Sequence, residues 1–471
     1  MMPRSGASGP GRFMIPAAAL LLCAVQLAAT LPGELNADST EQLRQAMAHQ
    51  FGDWHPPVMA LVWSWLLDMT GRPGSLLVMQ QALHWLGFGL LADGCFRANM
   101  PRRAWLLLAA GAFPLFLFYD KVLVKDVEMG AAFVAAFGLC CRFLLLRRSI
   151  PAWAMLLAGL LLAYGTLTRT NSVFALGPLV CLLFETGRRL GLTKLVGLSA
   201  LVALLALPLS NAVNHRLIGA TPQDSLQSLQ LFDLVGIAVR SGDERVLGGN
   251  APALSRVKEC YTAYWWDPLS PWGECGAVRR SFEYVADMRP VSPDLLAERA
   301  ALWRRAIAAH PLDYAWHRLA YFNSSIYFIV PALHFRFSKS ATAHAVSQHD
   351  LRMDYLKKNF LFWPVIWLAV GCGALAFLPA RPDMPATAAA ARLAIVSGLL
   401  YSGAYLLIGV ATDVRYYYWP ILSILVGVLL AFPDLRSQWR ARPHAARTAG
   451  AVLAAVLLAG YAARLSGVPF V

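Results

Sequence analysis

The sequence predicts an all-α polytopic membrane protein with about eleven transmembrane helices. Hydrophobic residues make up 58% of the 471 residues and charged residues only 14%, whereas an ordinary soluble domain has about 25% charged residues. The apolar residues also come in runs of roughly 16 to 24 residues with few charges, the length that crosses a bilayer as a helix. Helices are the expected spanning element because each one satisfies its own backbone hydrogen bonds in lipid.

The predicted spans cover 14–30, 74–96, 104–119, 127–146, 151–167, 172–186, 194–213, 359–378, 388–410, 416–432 and 448–466. The first span could instead be a cleaved signal peptide, since Ala28 and Ala29 are small residues near its end; we expect it to be retained as an anchor. The chain then divides into an N-terminal transmembrane core (1–213), an extracytoplasmic loop or cap region (214–358) and C-terminal transmembrane helices (359–471).

Basic residues gather in short loops between the spans, and cytoplasmic loops are the ones enriched in Lys and Arg. The clusters expected in the cytoplasm are Arg4/Arg12, Arg97/Arg102/Arg103, Arg147/Arg148, Arg188/Arg189/Lys194, Arg381 and Arg436/Arg440/Arg442/Arg447. The loops left for the extracytoplasmic face are 31–73, 121–128, 167–171, 214–358 and 412–415. The net charge of +14 is thus interpreted as a topology signal, and no nucleic-acid partner is expected.

Two apolar segments are predicted to lie at the outer interface as amphipathic helices instead of spanning. The first, 57–69 in the first outer loop, is only about 13 residues long and begins at a double proline, too short for a span. If it spanned, the orientation of everything up to residue 213 would be inverted, and the basic cluster around Arg102 would lie outside, against the charge rule. The second, 319–334, is interrupted by polar residues and a proline.

The positions of the cysteines agree with this topology. Six of them fall within or at the ends of spans and are expected to be small core residues: Cys23, Cys95, Cys140, Cys141, Cys181 and Cys372. Cys260 and Cys275 flank a loop of about 15 residues in the long outer segment, where an oxidising exterior would let them form a disulfide worth about 3 kcal/mol. They could also remain two unpaired thiols.

The first outer loop, 31–73, carries the first candidate site residue. Asp38 could be the N-cap of a helix running to about Gln50, with Glu41 as its capping-box partner. A carboxylate at the membrane face could equally act as a general base towards an acceptor hydroxyl or amine. The sequence leaves both roles of Asp38 open.

Asp53 and His55 lie later in the same loop, just before the double proline at 56–57. The prolines stiffen the entry into the following helix, and a histidine beside them is well placed to hydrogen-bond a polar headgroup. Both are therefore candidate substrate-binding residues.

Four cations lie next to span ends on the outer side, against the positive-inside trend: Lys121, Lys125, Arg169 and Arg415. Each could pair with a neighbouring carboxylate, but their recurrence in three separate outer turns favours a shared function. Cations are what a phosphate-bearing lipid headgroup needs, and arginine can bind phosphate oxygens bidentately. Asn171 and Tyr416, each beside one of these cations, are further candidates for substrate binding.

Other sequence signals exclude some functions. The chain has no phosphate-cradling P-loop, no HExxH and no GxSxG, which disfavours an ATP-driven pump or a metalloprotease. Asp233 and His317 in the long outer segment could belong to a site, although roles in building the fold are favoured for both.

The order and sidedness of the short motifs resemble those of the GT-C superfamily of membrane glycosyltransferases, of the protein mannosyltransferase or aminoarabinose transferase type. The motifs are Asp38, Asp53-Trp54-His55-Pro56-Pro57, Lys125-Asp126, Arg169-Thr170-Asn171 and Asp413-Val414-Arg415-Tyr416. The resemblance implies a polyprenyl-phosphate-linked sugar donor used at the outer face of the membrane. It also implies Asp38 as the catalytic acidic residue, Asp126 as a second acidic position, and Lys125, Arg169 and Arg415 as ligands of the carrier phosphate.

The resulting hypothesis is sugar transfer from a polyprenyl-phosphate carrier to a glycan, lipid or protein acceptor, at the periplasmic face of a bacterial inner membrane. No cofactor is required by the sequence, although a divalent metal could bridge Asp38 and Asp126. A transporter or flippase of a lipid-linked sugar is the main alternative and predicts charged positions at mid-span depth. A structural subunit of a cell-envelope complex would explain the basic loops but not the outer cations.

Overall fold

The computed structural model describes residues 13–186, 190–248, 253–264, 266–270, 293–330 and 358–466. Within these ranges the regular secondary structure is helical, and an isolated parallel β-bridge joins Glu34 to Val122. The chain forms two compact units. Unit 1 comprises Met1–Ala220, Val370–Tyr401 and Arg415–Ala449, and unit 2 comprises Thr221–Ala369, Ser402–Val414 and Gly450–Val471.

The described residues of the N-terminal part of the chain form ten helices. They are α1 Met14–Thr30, α2 Ala37–Ala48, α3 Val58–Thr70, α4 Ser75–Arg97, α5 Pro101–Gly111, α6 Pro114–Tyr119, α7 Lys125–Leu145, α8 Ala152–Thr168, α9 Val173–Leu183 and α10 Leu192–Ala212. The middle part forms α11 Leu226–Ser241, α12 Leu254–Cys260, α13 Pro293–Ala309 and α14 Pro311–Ser325, and the C-terminal part forms α15 Pro364–Ala376, α16 Ala386–Ile408, α17 Tyr418–Ala441 and α18 Pro443–Ser466.

The membrane character of the chain is clear from these helices. In the described part of the chain, six helical segments are long and apolar enough to cross a membrane: Ser75–Arg97, Lys125–Leu145, Leu192–Leu217, Ala386–Ile408, Val414–Ala441 and Pro443–Ser466. Shorter apolar helices occupy Met14–Thr30, Val58–Thr70, Ala152–Thr168, Thr170–Leu183 and Pro364–Ala376. The described residues therefore form a helical protein with helices that suit a lipid bilayer.

The prediction of one continuous span over 104–119 is wrong. The chain leaves the helix after α5, Phe113 adopts φ −59° and ψ 137°, and Pro114 starts the separate helix α6. Proline cannot donate the backbone hydrogen bond that a continuous helix needs, but it is well accommodated in the first turn of a new one. The summed hydrophobicity of the run conceals this break.

Helix α7 forms the centre of unit 1, and most of its side chains are buried. It packs closely on α4 through two glycines: a Cβ built on Gly87 would lie 2.6 Å from the backbone of Val134, and one built on Gly138 would meet the carbonyl oxygen of Gly87. Small residues at such crossings let helix backbones approach closely in a membrane. The positions of α4 and α7 relative to each other are thus closely fixed at this crossing.

A cluster of charged side chains lies near the C-terminal ends of α4 and α7. Asp93 accepts hydrogen bonds from Nε of Arg97 at 2.7 Å and from Nε of Arg142 at 2.8 Å. Arg103, at the start of the neighbouring α5, donates to the carbonyl oxygen of Leu430 at 2.9 Å. At 1.5 Å per residue, Arg142 lies about 25 Å along α7 from the helix start.

Unit 2 has its own core between α11, α12 and α13, formed by residues such as Leu234, Val235, Val257 and Ala306. Its first segment, Thr221–Ala369, contains most of the predicted cap region 214–358, whereas residues 214–220 belong to unit 1. Helix α14 covers the start of the segment 319–334 expected at the interface, and residues 331–334 lie outside the described residues.

Asp233 and His317 lie together in unit 2, fully buried. Asp233 pairs with Arg318 and accepts a hydrogen bond from Nε1 of Trp303 at 2.8 Å, while His317 Nε2 lies 3.3 Å from the same carboxylate. Arg318 also donates to the carbonyl oxygen of Gly409 at 2.6 Å. These contacts join helices of unit 2 and suit the fold-building roles favoured for Asp233 and His317.

Among the described cysteines, Cys260 is disulfide-bonded, and the six cysteines expected in the spans are free thiols. Cys275, its predicted partner, lies outside the described residues.

Candidate functional site

The start of α2 differs from the sequence prediction in a way that matters for the site. Asn36 is the N-cap, because its side chain accepts from the backbone N–H of Ser39 at 2.9 Å, and the Ser39 hydroxyl accepts from the Asn36 N–H at 2.7 Å. The predicted capping box of Asp38 and Glu41 is therefore wrong, and Glu41 pairs with Arg44 at 2.6 Å instead. Asp38 is not required to cap the helix and is available for tertiary contacts.

Asp38 is the meeting point of three loops of unit 1. Its Oδ2 accepts a hydrogen bond from Nη2 of Arg415 at 2.9 Å and lies 3.8 Å from Nζ of Lys125. Its Oδ1 lies 3.8 Å from Nε2 of His55. The side chain is 29% exposed, so the carboxylate remains accessible while it is surrounded by cations.

Asp126 is the second carboxylate of this cluster, in the first turn of α7. Its Oδ1 pairs with Nε of Arg169 at 2.9 Å, and its Oδ2 lies 3.9 Å from Nε of Arg415. The Asp126 side chain is almost completely buried. Arg415 therefore links the two acidic positions, Asp38 and Asp126.

The guanidinium groups of Arg169 and Arg415 both lie near the ring of Tyr416. Arg169 lies over it with Cζ 4.8 Å from the ring centroid, and Arg415 lies 5.3 Å from the same centroid. Stacking on an aromatic face is a favourable environment for arginine. Tyr401, which the sequence did not suggest, places its hydroxyl 3.4 Å from Nε of Arg169.

Lys125 and His55 form the closest contact of the cluster, with 2.6 Å between Nζ and Nδ1. Burial and the positive charge of Lys125 lower the pKa of His55 to about 3, so the imidazole is neutral at physiological pH. Burial opposes ionisation of Asp38, but the charges of Lys125 and Arg415 outweigh it and hold the pKa of that carboxyl well below its ordinary value.

The cluster as a whole carries an excess of positive charge. Three cations, Lys125, Arg169 and Arg415, face two carboxylates, Asp38 and Asp126, and the neutral histidine adds no charge. The net charge of about +1, with side chains that are rich in hydrogen-bond donors, suits a partly buried anion such as a phosphate group.

Three other candidates take different positions. Lys121 pairs with Glu34 at 2.5 Å and lies over the Phe118 ring. Asp53 pairs with Nε2 of His215 at 3.3 Å. Asn171 lies in the short 3₁₀ helix Thr170–Ser172, partly buried between α8 and α9. The structure thus brings together Asp38, His55, Lys125, Asp126, Arg169, Arg415 and Tyr416.

A second, buried polar network in unit 1 was missed. Tyr418 donates from its hydroxyl to Oδ1 of Asp120 at 2.5 Å and lies 3.1 Å from Nδ1 of His84. Gln26 donates to Oδ2 of Asp120 at 3.3 Å, and Gln80 donates to the Asp120 carbonyl oxygen at 2.9 Å. The sequence signal that could have revealed this network was the presence of polar side chains inside the apolar run 74–96. Polar residues in a membrane span are costly, so they usually have a structural or functional role.

The two carboxylates that a divalent metal could bridge are both in contact with Arg415. Arg415 already bridges Asp38 and Asp126, so a guanidinium takes the position in which a divalent ion would link them. Within the described ranges, no group of three or more His, Cys, Asp and Glu side chains could hold a metal ion.

Comparison of the chain with protein-family models, curated proteins and solved structures finds no match.

Proposed function

We propose that this protein is an integral membrane glycosyltransferase that moves a sugar from a polyprenyl-phosphate carrier to an acceptor at the extracytoplasmic face. The observation that carries the proposal is the convergence of Lys125, Arg169 and Arg415 on Asp38 and Asp126 at one end of the apolar helices. A phosphate-bearing lipid presents its charge at that depth, next to the hydrocarbon. The motif resemblance to GT-C enzymes supports the same conclusion.

Charge distribution supports the sidedness. The cluster lies at the start of α7, whereas Arg142, which pairs with Asp93 of α4, lies about 25 Å away along α7. Most of the basic residues lie in the loops that follow the helices at that far end. By the positive-inside rule the basic end is cytoplasmic, in a bacterial inner membrane, and the cluster faces outside. Ten single helices (the six longest with α1, α8, α9 and α15) and the broken pair α5–α6 would give eleven spans, with α3 at the interface.

The proposed reaction is a nucleophilic substitution at the anomeric carbon of the donor sugar. An acceptor hydroxyl or amine attacks this carbon, and the bond from carbon to phosphate oxygen breaks with its electron pair going to the carrier phosphate. The phosphate gains negative charge in the transition state, so Lys125, Arg169 and Arg415 stabilise the transition state more than the ground state. Asp38, partly exposed beside them, orients the acceptor. The acceptor is a glycan, lipid or protein.

A transporter of the same lipid-linked sugar is the second candidate, favoured by one observation. His84, Asp120 and Tyr418 form a buried polar network among apolar helices, as expected where a polar group passes through a membrane protein. Transport would leave the bond between sugar and phosphate intact, so bond cleavage separates the two functions.

The test is release of free carrier phosphate by the purified protein from a panel of polyprenyl-phosphate-linked hexoses and pentoses. The wild type should release it, and Asp38→Asn should lose most of that activity. Asp68→Asn is the matched control, since Asp68 lies in the same outer loop with 58% of its side chain exposed. Equal release by Asp38→Asn and the control would contradict the role of Asp38, and no release by the wild type would contradict the proposed reaction.

A further inference from the structure

His55 is held between the two charged groups that define the site. Its Nδ1 lies 2.6 Å from Nζ of Lys125, and its Nε2 lies 3.8 Å from Oδ1 of Asp38. About a tenth of the side chain is exposed, so neither nitrogen is simply solvated. The imidazole forms the middle of a chain Lys125–His55–Asp38.

The chemistry of lysine fixes the tautomer of this imidazole. An ammonium group has three donors and no acceptor, so Nδ1 of His55 accepts from Lys125 and the ring proton is on Nε2, directed towards Asp38. A carboxylate at one ring nitrogen that holds the tautomer is how a histidine is prepared to take a proton at the other nitrogen. Here Lys125 covers that other nitrogen.

We propose that His55, oriented by Asp38, takes the proton of the acceptor, and that Lys125 blocks it until the donor phosphate draws the lysine away. This inference rests on the proposed function and assigns the base within it. In the resting site Lys125 donates to a neutral nitrogen, whereas an ionised phosphate oxygen is a stronger acceptor for the same ammonium. Donor binding thus makes Nδ1 available.

The proposed step is balanced. The acceptor O–H or N–H proton passes to Nδ1 of His55, the acceptor atom forms the new bond to the anomeric carbon, and the carbon–oxygen bond to phosphate breaks. Its electron pair remains on the carrier phosphate beside Lys125 and Arg415. The imidazolium is paired with Asp38 and later loses its proton to solvent.

The electrostatics favour His55 over Asp38 as the base. Asp38 directly faces the cations Lys125 and Arg415, which stabilise it as an anion and make it a weak proton acceptor. The charged groups that act on His55 include the cations Lys125, Arg415 and Arg169 and the carboxylates Asp38 and Glu41. A phosphate that neutralises the cations removes their effect on His55, whereas the attraction of Asp38 for an imidazolium remains.

The test measures proton uptake when the site binds methyl geranylgeranyl phosphate, a diester with a carrier-like tail, one negative charge and no titrating proton between pH 5 and 8. Calorimetry at pH 5.5 in buffers of different ionisation enthalpy gives the number of protons taken up. The diester offsets the positive charge of the cations, so the pKa of His55 should rise although burial still lowers it. The wild type should therefore take up part of a proton per bound diester. His55→Gln should bind the diester but lose this uptake.

His49→Gln is the matched control, since His49 lies in the same loop with 55% of its side chain exposed and should retain the uptake. Binding without uptake by the wild type would overturn the assignment of His55 and leave the proposed function standing, whether or not the His55 variant folds. Uptake that persists in His55→Gln would also overturn it. Absence of binding by the wild type would contradict the proposed function itself.

Discussion

Asp38→Asn should bind a carrier phosphate more tightly than the wild type, although it should turn over less donor. In the resting site Asp38 is the internal anion that satisfies Arg415 at 2.9 Å and Lys125 at 3.8 Å. An incoming phosphate competes with it for both cations. Replacing the carboxylate by a neutral amide removes the competitor and raises the net charge of the cluster from about +1 to about +2.

The size of the effect follows from the geometry. Opposite charges 4 Å apart attract by about 4 kcal/mol at the effective dielectric of a protein surface, but exposed pairs retain at most about 1 kcal/mol. Asp38 is 29% exposed and makes a charge-assisted hydrogen bond, so a net competition of about 1–2 kcal/mol is reasonable. This corresponds to about 5- to 30-fold tighter binding.

The assay is calorimetric titration with methyl geranylgeranyl phosphate at pH 7.5 and at two salt concentrations, with Asp68→Asn as the control. The tightening should shrink at high salt because the competition is electrostatic. Equal or weaker binding by Asp38→Asn would refute the idea that Asp38 and the carrier phosphate share Lys125 and Arg415.

Three further predictions concern the buried network, the helix packing and pH. Tyr418→Phe removes the donor to Asp120 and should lower the free energy of unfolding by about 1–3 kcal/mol, seen as a lower melting temperature in detergent; an unchanged melting temperature would contradict it. Gly130→Ala places a Cβ 2.5 Å from the Tyr418 ring and should destabilise by about 1–3 kcal/mol, whereas Gly159→Ala, with nothing within 4 Å, should be tolerated; equal melting temperatures would argue against the packing. Donor turnover should fall as the pH drops into the range where His55 of the donor complex is protonated, because His55 must be unprotonated to act as base; a rate that stays flat down to pH 5 would indicate a carboxylate base.

The helices could largely be predicted because lipid permits little else. A long apolar run in lipid must form its backbone hydrogen bonds within itself, so it becomes a helix. Each predicted span accordingly overlaps one or more helices of the structure. The exception, at 104–119, was visible as Pro114, but a window of hydrophobicity weighs side-chain polarity and not the missing N–H of one residue.

The sequence indicated several residues of the candidate site, but it did not indicate which of them contact each other. Lys125, Arg169 and Arg415 stood out because they contradict the charge rule for outer loops, and that signal does not depend on the fold. The cap of α2 could not be decided, since Asn36 and Asp38 are both good N-cap residues two positions apart. The choice reflects the tertiary pairing of Asp38 with Arg415, a residue far away in the sequence.

Other features needed the packed structure. Asp53 was expected in the substrate site, but it pairs with His215 beyond the last helix of the N-terminal core, a contact that no local pattern encodes. The network of His84, Asp120 and Tyr418 joins three segments, each of which contributes only one or two polar atoms. Local sequence shows that such residues are unusual in a span but not which partners they meet.

The most direct measurement follows the donor in sealed vesicles that contain the protein, with polyprenyl-phosphate-linked sugar supplied to the outer face only. Mass spectrometry of the lipids from each leaflet measures intact donor and free carrier phosphate, and so shows whether the bond between sugar and phosphate has been broken. The proposed function predicts one free carrier phosphate on the outer face for each sugar transferred to acceptor or water, and no intact donor on the inner face. Intact donor appearing on the inner face without release of carrier phosphate would contradict the proposal and establish transport instead.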